Sequence, residues 1–159
     1  MIDRRIRRIL TLTALALVLA LTALLARPGS DSGAQAEPGS AQFEAQCASC
    51  HESDGRGTEG GPPPLQDSPW VAGPETRLIK IVLHGLRGKV EVQGKTYNLE
   101  MPGFAKTMTD EDVAAVLSFV RRQWSGRPEP IAPAEVRRIR DATRDRTGYW
   151  TADELLRDP

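Results

Sequence analysis

Cys47-Ala48-Ser49-Cys50-His51 is the stretch on which the fold of this chain depends. C-x-x-C-H is the attachment signal of a c-type haem. Each thiol can add across one vinyl group of the porphyrin, and the two-residue gap suits the distance between those vinyls. The next residue, His51, then lies under the iron as proximal ligand. The chain has 2 cysteines and 2 histidines, and the motif takes both cysteines and one histidine. Two other uses of this spacing fail. A structural zinc site needs about four ligands, and no second Cys/His pair exists to complete one. A thioredoxin-like redox pair needs a βαβ context, for which the sequence has no pattern.

Upstream of the motif stands an apolar run, residues 9–26, ILTLTALALVLALTALLA, which carries three threonines and no charge. Arg4, Arg5, Arg7 and Arg8 precede it against a single Asp3. Positive charge stays cytoplasmic, so the remainder of the chain is expected on the outer side of the membrane. Eighteen residues at about 1.5 Å each reach about 27 Å, enough to span the hydrocarbon core. A cleaved signal peptide has a shorter apolar region, about 7–15 residues. Ala34-Gln35-Ala36 nevertheless matches a cleavage pattern, though it lies well beyond the apolar run. The expectation is an uncleaved signal anchor over residues 1–26. Cleavage after Ala36 would leave a soluble periplasmic protein instead.

Composition divides the rest of the chain. Residues 27–39 (RPGSDSGAQAEPG) are small, polar and Gly/Pro-rich, and read as a flexible tether. Residues 40–126 carry the motif and the periodic patterns, residues 127–132 (RPEPIA) read as an extended linker, and 133–159 form a charged tail with helix signals. The whole chain balances 21 Lys+Arg against 21 Asp+Glu. There is no basic patch interleaved with aromatics, so nucleic-acid binding is not expected.

The coarse pattern is helical. Phe43, Cys47 and Cys50 share one helical face within 40–50. Pro74 suits the first turn of a helix that presents Leu78, Ile79, Val82 and Leu83 and stops at Gly85. Thr109 caps the clearest helix, whose first turn holds Asp110, Glu111 and Asp112, where the helix dipole favours negative charge. Val113, Val116, Leu117, Val120 and Trp124 form its stripe, and Gly126 ends it. Between these helices KVEVQGKTY (89–97) alternates around Gly94 and reads as a hairpin or an irregular loop. In the tail, Pro133 opens a helix bearing Val136, Ile139 and Thr143. Thr151 with Glu154 forms a capping box, and Trp150 with Leu155 a hydrophobic staple. Neither tail helix has the apolar area to stand alone, so both should pack on the central domain or on a partner.

The second iron ligand has three candidates: Met101, Met108 and His84. Met101 precedes Pro102-Gly103-Phe104, and proline keeps this segment extended so that the thioether can reach across. Core packing is the competing reading for Met101. Met108 sits just before the cap of the strongest helix and reads as a core side chain. His84, near a helix end, reads as a surface or partly buried histidine.

The chain resembles a class I c-type cytochrome over residues 39 to about 126. The resemblance rests on Cys47-x-x-Cys50-His51, the Gly-Pro-Pro-Pro-Leu run at 61–65, Met101-Pro102-Gly103-Phe104, and the helix TDEDVAAVLSFVRRQWSG. It implies an all-α fold: a small cytochrome c fold around one covalent haem c held by Cys47 and Cys50, with His51 and Met101 as axial ligands. It also implies that Gly39 and Phe43 cross the last helix near Phe119 and Trp124, and that Pro62 or Pro63 accepts a hydrogen bond from His51. The helical segment 127–159 departs from the minimal pattern. The sequence is further similar to cytochromes serving quinoprotein dehydrogenases and terminal oxidases. The expected function is therefore one-electron transfer between a redox donor and acceptor, not enzyme catalysis. Two alternatives stand beside it: a fixed haem subunit of a respiratory or dehydrogenase complex, and a haem enzyme or gas sensor with an open iron position.

Overall fold

A computed structural model of the chain describes residues 36–158. The expected anchor at 9–26 lies outside the described residues. Among the described residues, no helix is long and apolar enough to cross a membrane.

The elements follow from local signals. Helix α1 (Ser40–Gln46) begins after Gly39, which has a positive φ of 91°. Cys47, at φ −121°, interrupts it, and α2 (Ala48–His51) follows, so the expected single face over 40–50 is two short helices. Helix α3 (Pro69–Ala72) has proline in its first turn, and the Ser68 side chain accepts from the N–H of Trp70. Helix α4 (Glu75–His84) starts one residue after Pro74 and stops at Gly85, φ 80°, whose N–H returns to the Ile81 carbonyl. Helix α5 (Asp110–Ser125) has a capping box between Thr109 and Asp112 and ends at left-handed Gly126. Helices α6 (Pro133–Ala142) and α7 (Ala152–Arg157) form the tail, the second again with a capping box, between Thr151 and Glu154.

The all-α expectation holds for the frame and fails between α4 and α5. There, β1 (Leu86–Val92) pairs antiparallel with β2 (Lys95–Met101) from Leu86↔Met101 to Val92↔Lys95. Only Gln93 and Gly94 remain for the turn, at φ 52° and 73°. Positive φ at both positions is the two-residue type I′ hairpin turn, whose twist matches that of the strands. The hairpin is thus longer than the 89–97 pattern suggested. It also takes in Met101, which is the last residue of a strand rather than part of a loop.

Gly39, immediately before α1, lies directly against α5. A Cβ there would lie 2.1 Å from the carbonyl oxygen of Ala115. Phe43 is fully buried beside that contact, with ring centroids 5.6 Å from Phe119 and 4.9 Å from Trp124. The remaining core interleaves Leu78, Ile79, Val82 and Leu83 of α4 with Val113, Val116, Leu117 and Val120 of α5. The chain also clasps α5 before α1 begins: Arg122 Nε donates to Glu37 Oε1 at 2.7 Å and its Nη2 to the Pro38 carbonyl at 3.2 Å.

Both tail helices pack on the central domain. Ile131, Val136 and Ile139 are buried in the main core. The linker 127–132 is accordingly not free: the N–H of Ile131 donates to Ser118 Oγ on α5 at 2.9 Å. Farther on, Trp150 and Leu155 close a second, smaller cluster with Ile81. Trp150 pairs with Leu86 in a parallel bridge, its N–H donating to the Gly85 carbonyl and its carbonyl accepting from the Arg87 N–H. Asp158 is held by Lys80, whose Nζ lies 3.1 Å from its carboxylate.

Candidate haem site

Cys47 and Cys50 lie one turn apart at the α1–α2 junction, where the break at Cys47 turns α2 and its terminal His51 toward the interior. Cys47 is half-buried and Cys50 exposed, and no disulfide joins them. Burial pushes the Cys47 thiol up to about 11, with the neighbouring Cys50 adding to the rise. The thiol is therefore protonated at neutral pH before the haem is attached, and its own burial does not activate it as a nucleophile.

Nδ1 of His51 lies 3.1 Å from the carbonyl oxygen of Pro63. A carbonyl only accepts, so Nδ1 carries the proton and Nε2 keeps its lone pair. Burial lowers the His51 pKa, against a smaller opposing effect of the Pro63 hydrogen bond, so the imidazole favours the neutral, metal-binding form. Pro63, not Pro62, is the partner. The Pro62 carbonyl instead accepts from the Thr58 N–H at 3.4 Å.

His51 lines two adjoining cavities, an inner one of about 100 Å³ and an outer one of about 260 Å³. Pro63, Leu86, Val90 and Met101 line both as well. The inner walls are almost wholly apolar, built from Val71, Leu78, Val82, Val116, Leu117 and Val120. Cys47 borders the inner cavity and Cys50 the outer one. An apolar cleft edged by two thiols, with an imidazole and a thioether in its lining, fits a covalently attached haem. Among the described residues, no group of three or more His, Cys, Asp and Glu side chains is placed to hold a bare metal ion.

The three candidates for the second ligand separate cleanly. Met101 lines both cavities. Met108 is buried in the main core under α5 and lines neither. His84 is turned away, its Nε2 2.7 Å from Thr143 Oγ1 on the tail. Burial lowers the His84 pKa, helped by the nearby Arg146 and Arg140.

Sequence reasoning missed the hairpin as a wall of this cleft. Leu86, Val90 and Val92, with Gly88 between them, recur at every second position and so share one face of β1. That alternation begins three residues before the stretch read as a possible hairpin.

Thiols, imidazole and apolar cleft together define a covalent haem protein. The chain belongs to the cytochrome c family: the family model described as Cytochrome c matches residues 36–124. It accordingly carries haem c, joined through Cys47 and Cys50. Cytochrome c-552 of Thermus thermophilus is 36% identical over 118 residues, covering 67% of this chain and 78% of that protein. The cytochrome c subunit of alcohol dehydrogenase (quinone) from Gluconacetobacter polyoxogenes is 31% identical over 107 residues, 65% of this chain and 22% of that subunit. The cbb3-type cytochrome c oxidase subunit FixPc of Rhizobium leguminosarum bv. viciae is 33% identical over 85 residues, 52% of this chain and 28% of that subunit.

Proposed function

We propose that the protein is a one-electron carrier with His51 and Met101 as axial ligands, working on the outer side of the cytoplasmic membrane. Bound haem c supplies an iron that takes up and returns a single electron. The chain's own residues set the conditions. Cys47 and Cys50 keep the macrocycle in place while partners come and go. Pro63 fixes the tautomer and direction of His51 and raises its donor strength. The valines and leucines of α4 and α5 keep water from the cleft, and a His/Met pair raises the potential into a range suited to electron transfer.

The observation that carries this assignment is that Met101, alone among the three candidates, shares the cleft with His51. An oxidised-state optical spectrum tests it. A methionine–iron(III) band near ~700 nm is expected, and its absence would overturn His/Met ligation. Met101→Ala should abolish that band and open the iron to cyanide and carbon monoxide.

The partners proposed are a dehydrogenase-type donor and an oxidase-type acceptor. Support comes from relatives that are subunits of alcohol dehydrogenase (quinone) and of a cbb3-type oxidase. The outward location rests on the arginine cluster before the apolar run 9–26. Protease added to intact spheroplasts should remove the haem domain. Protection of the domain until lysis would overturn the location.

A further inference from the structure

We propose that Arg140, in the tail, is a positioning residue for Met101: it sets how firmly the thioether is held in the cleft. The inference rests on the assignment of Met101 as axial ligand.

Met101 ends β2, and residues 102–109 then cross to α5 without regular structure. One side of this segment is tied to the end of α4: the N–H groups of Phe104 and Ala105 donate to the carbonyls of Val82 and Leu83 at 2.9 and 3.0 Å. The carbonyls of Ala105 and Met108 are instead taken by one side chain of α6. Arg140 Nη1 donates to Ala105 O and its Nη2 to Met108 O at 2.9 Å, while its Nε donates to Asp110 Oδ1 at 2.7 Å. All three guanidinium nitrogens are engaged, and they span the segment from its middle to the first residue of α5. A planar fork holds three such points in fixed relation, which an ammonium group cannot do.

The tail also braces the other flank. Met101 pairs with Leu86, and Trp150 bridges to the backbone on both sides of Leu86. Met101 and Leu86 both pack against the cluster of Ile81, Trp150 and Leu155. Residues 127–158, which lie beyond the matched family region, therefore hold the strand before Met101 and the segment after it.

Imidazole added to the ferric holoprotein must displace the native sixth ligand, so its apparent affinity reports the fraction of molecules in which that ligand is loose. Arg140→Gln is expected to tighten imidazole binding by about tenfold and Arg140→Lys by about threefold, each in proportion to the loosened fraction. Two controls on the same helix should leave it unchanged. Arg138→Gln loses only a pairing with Glu135. Ile139→Val thins the core and lowers stability while leaving the three Arg140 hydrogen bonds in place. Parent-like imidazole affinity in Arg140→Gln overturns the proposal, as does an equal rise in Ile139→Val. If Arg140→Gln gives no holoprotein, Arg140→Lys decides by the same comparison. Failure of the underlying assignment reads differently: the parent itself would lack the band near ~700 nm, and Met101→Ala would not tighten imidazole.

Discussion

The carbonyl oxygen of Pro63 receives its hydrogen bond from Nδ1 of His51 across 3.1 Å, twelve residues along the chain. The loop between them is shaped by Gly57, which adopts φ 66° and donates its N–H to the carbonyl of His51. A Cβ on Gly57 would lie 2.3 Å from the carbonyl oxygen of Pro62. Gly57→Ala should therefore cost at least about 1–2 kcal/mol from the left-handed backbone alone, measured by denaturant unfolding of the holoprotein. It should also push the proline run from His51. A weaker hydrogen bond makes the imidazole a poorer donor to ferric iron, so the reduction potential should rise. An unchanged potential would show that Pro63 orients His51 without tuning it.

The segment after Met101 has its own close approach. Gly103 sits so near α4 that a Cβ would lie 2.6 Å from the carbonyl carbon of His84 and 2.7 Å from the oxygen of Leu83. Gly103→Ala must lift the segment and strain the bonds from Phe104 and Ala105 to α4. A loss of roughly 1–3 kcal/mol is expected, as for other overpacked sites. The band near ~700 nm should weaken in the same variant while haem content stays full.

Phe43 joins the cysteine-bearing helices to α5 through its contacts with Phe119 and Trp124. Phe43→Ala should cost about 3–5 kcal/mol, read from the denaturant midpoint of the holoprotein. Phe43→Leu should cost less, because it leaves a smaller cavity.

The tail should respond to acid through Glu154. Hydrogen bonds from the Thr151 N–H and hydroxyl, and then from Arg146, hold this carboxyl at about 2 against an ordinary 4.5. A group whose pKa is lower when folded stabilises the fold above its unfolded value and loses that contribution as pH falls toward the folded one. Stability should thus decline from about pH 4.5 to pH 2 partly through this group. The side chain is a third exposed, so solvent screening keeps the effect near that of an ordinary helix cap, about 1 kcal/mol. Glu154→Ala should lower stability at pH 7 and flatten the acid limb, checked by thermal melts across that range.

The parts of the fold legible from sequence were those written in local chemistry. The Thr109 cap, the acidic first turn and the Val113-to-Trp124 stripe define α5 within one contiguous stretch, and Thr151 with Glu154 does the same for α7. The break at Cys47 was not legible, because Phe43, Cys47 and Cys50 keep helical spacing across it. Helix α3 is too short to show a period, although Ser68-Pro69 carries both of its start signals. The extent of the hairpin was hidden for another reason. β2 is polar or exposed along most of its length, so it lacks the alternation that marks a half-buried strand. Its register is pinned by the Gln93-Gly94 turn, while Trp150, far away in sequence, holds the start of its partner strand β1. In the site, the C-x-x-C-H motif was self-sufficient. The setting of Met101 depended on a strand pairing and a tail contact that no local pattern announces.

Lys80 and Asp158, held 3.1 Å apart, are separated by 78 residues, and Arg140 reaches back more than thirty residues to Met108. Contacts so distant in sequence form late, since the entropy of closing the intervening chain must be overcome first. The haem-binding motif lies near the start of the described residues and its braces near the end. In synthesis the motif emerges before Arg140 and Asp158, so it is present before the residues that brace it. A chain stalled before Arg140 would present His51 and Met101 with the segment after Met101 fastened only to α4. Docking of α6 and α7 is therefore expected to be a late step in the folding of this domain.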